Sequence, residues 1–89
     1  MKLTKALLEK LEGIFKALNY KIRYEKGTFK SGYCLIEDQK VVVINKFFPL
    51  ESKANTLMEI LRNVDADTEL LDAGQLKLLQ KVQQTELQL

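Results

Sequence analysis

At Asn19 the spacing of apolar residues changes from three and four to two, which commits the chain to a fold that combines helix with sheet. Before that point Leu3, Leu7, Leu8, Leu11, Ile14, Phe15 and Leu18 recur at helical spacing, with Lys5, Glu9, Lys10, Glu12 and Lys16 between them. This is the pattern of an amphipathic helix. After it, Tyr20, Ile22 and Tyr24 alternate with Lys21, Arg23 and Glu25, as in a strand with one buried face. Thr4 suits the N-cap, and Asn19 suits a left-handed C-terminal position because Asn tolerates positive φ.

Lys26-Gly27 supplies a tight reversal, so a second strand is expected from about Thr28 to Glu37; Asp38-Gln39 reverses the chain again, and Lys40 to Asn45 forms the third strand. A three-stranded antiparallel meander follows. Pro49 fixes φ at a helix start and Glu51 complements the positive end of the helix dipole. The second helix carries Leu50, Ala54, Leu57, Met58, Leu61 and Val64 on one stripe and ends near Asn63, before Asp65-Ala66-Asp67. Asp72 and Gln75 have the spacing of a capping box, opening a last helix with Leu76, Leu78, Leu79 and Val82. The tail from Gln83 to Leu89 is expected to fray. No internal repeat or linker divides the 89 residues, so the expectation is one α+β domain over 1–89: N-terminal helix, meander, and two C-terminal helices packed on one sheet face.

Two-residue turns fix the cross-strand partners as Tyr24 with Phe29, Tyr20 with Tyr33, Tyr33 with Ile44, and Leu35 with Val42. One face then collects Tyr20, Ile22, Tyr24, Phe29, Tyr33, Leu35, Val42 and Ile44, with Ser31 its polar member, and should receive the helices. The other carries Lys21, Arg23, Glu25 and Lys30 at one end and Cys34, Ile36, Val41 and Val43 at the other. Leaving four apolar side chains wet forfeits several kcal/mol at ~25 cal/mol per Å², so this cluster needs a cover. Either the last helix crosses to it or a second copy of the chain does, and the second copy is preferred. A helix edge bearing Ile60 is an alternative interface.

The chain contains no histidine, which removes the commonest general base and the commonest metal ligand. Cys34, the single cysteine, lacks an imidazole to activate it and stands among Val and Ile, and is expected to be a small buried hydrophobe. Asp65, Asp67, Glu69 and Asp72 alternate like calcium ligands, but the sixth position from Asp65 is Leu70 instead of glycine and the twelfth is Leu76 instead of glutamate. Helix capping accounts for these carboxylates better. No catalytic residue, cofactor site or metal site is therefore expected.

Formal charge is +2, with ten Lys/Arg against five Asp/Glu in residues 1–46 and four against seven in residues 47–89. Lys21, Arg23 and Lys30 are the candidate phosphate contacts of a nucleic-acid alternative. Nucleic-acid platforms interleave such cations with aromatics, whereas here the sheet aromatics fall on the opposite face. The longest aliphatic run is Val41 to Ile44, far short of the ~20 residues that cross a bilayer, and charged residues interrupt the apolar positions at the N-terminus. A cytoplasmic protein without a membrane segment is expected.

Val41-Val42-Val43-Ile44-Asn45, a short connection, and a helix with Lys53, Thr56-Leu57 and Glu59-Ile60 resemble the strand and active-site helix of the ImmA/IrrE-type zinc peptidases, and Gly32-Tyr33-Cys34 fits the preceding strand. In that family a Thr-Leu pair precedes a His-Glu-x-x-His motif that holds zinc and supplies a glutamate base. Here both histidines are missing, and Thr56 lies three residues before Glu59 where the family spacing is four. The resemblance, over roughly residues 20–62, implies a non-catalytic relative stripped of its metal. Arg23-Tyr24-Glu25-Lys26-Gly27 and Asn45-Lys46-Phe47-Phe48 are also similar to segments of short uncharacterised bacterial proteins, which implies no activity. The expected function is a non-catalytic module that binds another protein or forms a homodimer; the alternative is a small nucleic-acid-binding protein using the basic half.

Overall fold

A computed structural model describes residues 3–26, 33–36, 38–64 and 66–85. The first helix, α1 (Lys5–Ala17), opens on Thr4, whose hydroxyl oxygen accepts the Leu7 N–H at 3.1 Å. It closes on a Schellman motif: Asn19 stands at φ 68°, its N–H donates to the Lys16 carbonyl, and the Tyr20 N–H donates to the Phe15 carbonyl at 2.8 Å. The apolar contact that accompanies such caps is the edge-on packing of Tyr20 against Phe15, with ring centroids 5.9 Å apart. The residue pair that ends the helix thus also aims the chain into the first strand.

Three strands follow, β1 (Lys21–Glu25), β2 (Tyr33–Ile36) and β3 (Val41–Asn45), then α2 (Leu50–Asn63), a 3₁₀ turn at Thr68–Leu70 and α3 (Ala73–Thr85). Pro49 is the N-cap of α2, as its fixed φ allows. Asp72 and Gln75 form a reciprocal capping box at α3: the Gln75 N–H donates to the Asp72 carboxylate at 2.7 Å and the Asp72 N–H to the Gln75 side-chain oxygen at 3.1 Å. Helix α3 continues to Thr85, beyond the fraying expected from Gln83.

The sheet is mixed, in the order β1-β3-β2, and this corrects the antiparallel meander. β2 and β3 pair antiparallel in the expected register, with Tyr33 opposite Ile44 and Leu35 opposite Val42. β1, however, runs parallel to β3, placing Ile22 beside Val42 and Tyr24 beside Ile44, so Tyr20 does not meet Tyr33 across a shared ladder. Phe29, Gly27 and Ser31 lie outside the described residues, as do Lys30 and Asp65. The physical reason is burial. A strand with neighbours on both sides and apolar residues on both faces belongs in the middle, and Val41 to Ile44 is the continuous apolar run, whereas β1 alternates with charges and tolerates an edge. Turn residues report only on sequence neighbours, while a parallel pair needs a long crossover, and here the crossover contains β2 itself.

The described strand residues nevertheless keep the faces expected of them, because side chains alternate whichever neighbour a strand takes. Val42 and Ile44 are fully buried in a core with Leu11, Ile14 and Phe15 of α1, Leu57 and Leu61 of α2, and Leu79 and Val82 of α3; Ile22, Tyr24 and Leu35 pack against it. Gly13 sits within α1, where an added Cβ would lie 3.8 Å from the Gln75 amide nitrogen, an ordinary contact. Gly13→Ala should therefore raise stability by about 0.5–1 kcal/mol through helix propensity, read as a higher urea midpoint.

Candidate interaction surface on the sheet

Cys34, Ile36, Val41 and Val43 all lie on the sheet face opposite Val42 and Ile44, brought together by the pairs Cys34 with Val43 and Ile36 with Val41. Cys34 is exposed, which corrects its expected burial, because it sits on the sheet face away from the helices; Ile36 is exposed too, and Val41 and Val43 are half-buried. Ile36 shows 37% of its surface. Phe47, just beyond β3, is 67% exposed. Ile60 is corrected: it is 2% exposed and belongs to the core, so α2 presents no edge there. Sequence periodicity placed it off the α2 stripe, but a helix packed against two others, α1 and α3, buries a wider arc than one stripe.

The basic end of the same face is built by β1. Lys21 and Arg23 are exposed, and Arg23 is paired at 2.7 Å with Glu25, its neighbour two residues along the strand. Exposed pairs of this kind add little stability, but they occupy the cation. Lys30 is outside the described residues. Among the acidic candidates, Asp67 accepts the Glu69 N–H at 3.1 Å and Asp72 caps α3, so each has a structural task.

Sequence reasoning missed the linkage of Tyr24. Its hydroxyl donates to the Glu12 carboxylate of α1, and the Lys53 ammonium of α2 sits 5.0 Å from its ring centroid. One β1 residue therefore joins both helices. Burial, then the hydrogen bond to Glu12 and its charge, hold the Tyr24 phenol well above its ordinary value of 10.0. Because the folded value is raised, the stability it contributes is complete below pH 10 and declines as pH rises past the unfolded value. Unfolding midpoints measured between pH 9 and 11.5 should fall with pH, and Tyr24→Phe should flatten that fall.

Two open grooves flank these elements. One of about 590 Å³ lies between α1 and α3, lined by Leu7, Lys10, Gly13, Gln75, Leu78 and Lys81 among others. A second, of about 440 Å³, lies where α1 passes the outer edge of β1, between Glu12 and Lys16 on the helix and residues 20–24. No described helix is long and apolar enough to cross a membrane. Comparison with protein-family models, with curated proteins and with solved structures finds no match in any of the three.

Proposed function

We propose that this chain is a non-catalytic interaction module that forms a homodimer through the outer sheet face. The observation that carries the reading is the contiguous patch of Cys34, Ile36, Val41 and Val43, set opposite the core on paired strands. Helix α3, the competing cover, turns Leu79 and Val82 into the core with α1 and α2 instead. A two-fold axis through the patch lays one outer face on its copy, burying Ile36 and Val43 of both in the manner of stacked sheets. The polar strand β1 then forms the rim. An exposed free thiol on this face fits a reducing compartment, and hence the cytoplasm.

The likeness to ImmA/IrrE-type peptidases enters the same proposal as descent without chemistry. Thr56 is buried and its hydroxyl donates to the Ser52 carbonyl at 2.7 Å, while Glu59, one turn along α2, is exposed. Neither lines the two grooves described above. Nucleic-acid binding is the competing outcome, and it draws on Lys21 and Arg23, the latter already paired with Glu25. Light scattering over micromolar concentrations tests the reading: a dimer is expected, and a monomer throughout would overturn it. Binding of a single-stranded oligonucleotide that weakens steeply with salt would favour the alternative.

A further inference from the structure

We propose that the outer edge of β1, which no described strand pairs, is a docking strand for an extended acidic peptide, a second surface that adjoins the outer-face dimer patch. The parallel ladder fixes which peptide groups are spent. The Lys21 N–H donates to the Lys40 carbonyl at 2.8 Å and the Lys46 N–H donates to the Glu25 carbonyl at 3.0 Å, so residues 21, 23 and 25 turn their backbone toward β3. By alternation, the N–H and C=O groups of Ile22 and Tyr24 point the other way. β1 stands at the edge of the sheet order, so among the described residues no strand meets these groups.

This edge opens into the 440 Å³ groove, with α1 as its second wall. A strand edge beside a helix is the geometry in which peptides bind by strand addition: the edge supplies main-chain hydrogen bonds and the groove selects alternate side chains. Charge selects the occupant. Lys16, Lys21 and Arg23 line the groove; its carboxylate, Glu12, accepts from the Tyr24 hydroxyl, and Arg23 is paired with Glu25, so Lys16 and Lys21 are the cations that an incoming carboxylate meets first. An extended peptide carrying Asp or Glu at alternate positions meets the opposite sign and completes the ladder.

Random octapeptides displayed on phage and selected on the intact protein provide the test, followed by solution binding of the enriched sequence as a synthetic peptide. Acidic residues at alternate positions are expected, with amide exchange at Ile22 and Tyr24 slowed at least tenfold on binding. The double variant Lys21→Glu, Arg23→Glu should weaken binding at least tenfold, while Lys77→Glu, at an exposed position on α3 away from this groove, should leave it unchanged. Failure to enrich any sequence, enrichment of basic ones, exchange protection on β2 instead of β1, or binding indifferent to the double variant would each overturn the proposal. An equal loss in Lys77→Glu would likewise overturn it, because net charge alone would then drive binding.

Discussion

Phe15→Ala should cost about 3–5 kcal/mol, the largest loss expected from any single truncation in this chain, because a fully buried aromatic leaves a cavity that its neighbours cannot close. Phe15 also holds the end of α1: its carbonyl accepts the Tyr20 N–H, and Tyr20 packs edge-on against its ring. Small domains have net stabilities of about 5–15 kcal/mol, so this one substitution consumes a large share. Urea unfolding followed by far-UV circular dichroism should show a midpoint shifted strongly downward. Phe15→Leu, which keeps most of the apolar volume, should recover more than half of the loss. A shift below 1 kcal/mol for Phe15→Ala would mean that the α1–β1 corner is not part of the core.

The second large effect separates two adjacent valines. Val42 is fully buried on the inner face, and Val43 is half-buried on the outer one. Val42→Lys places an unpaired ammonium in the core that holds Ile44, Leu57 and Leu61, at about 3–5 kcal/mol or more by analogy with uncompensated buried charges, and should lower the urea midpoint at least as far as Phe15→Ala does. Val43→Lys should leave the circular dichroism spectrum and the unfolding midpoint of the monomer nearly unchanged. It instead puts two like charges across the proposed two-fold axis and should weaken self-association at least a hundredfold, about 2.7 kcal/mol. Unfolding by both substitutions alike would show that the outer face is as enclosed as the inner one.

Local chemistry in the sequence was a sound guide to the fold wherever the determining contacts are short in range. Thr4, Asn19 and the Asp72–Gln75 pair mark helix ends through hydrogen bonds within a few residues and Pro49 through its fixed φ, and each stands at the end it marks. The β2–β3 register was legible for the same reason, since Asp38-Gln39 joins those strands directly. Strand order was not, because the neighbour of β1 is chosen by the central place that the apolar run Val41 to Ile44 takes between two strands, a tertiary demand that a turn at Lys26-Gly27 does not express. Membership of the two faces survived the wrong neighbour because alternation depends on each strand alone. The free edge of β1 and the Tyr24–Glu12 bond were invisible for the opposite reason: both depend on β1 lying at an edge beside α1.

The reactivity of Cys34 tests most directly whether a second copy covers the outer face. It is the chain's single cysteine and an exposed member of the patch, so its thiol reports on that surface without interference. Its rate of modification by a colourless-to-coloured disulfide reagent should be measured from sub-micromolar to several hundred micromolar protein, for the native chain and for Val43→Lys. Cover by a second copy predicts a rate that falls as the native protein is concentrated and stays fast at every concentration in the variant. A native rate independent of concentration, equal to that of Val43→Lys throughout, would contradict it.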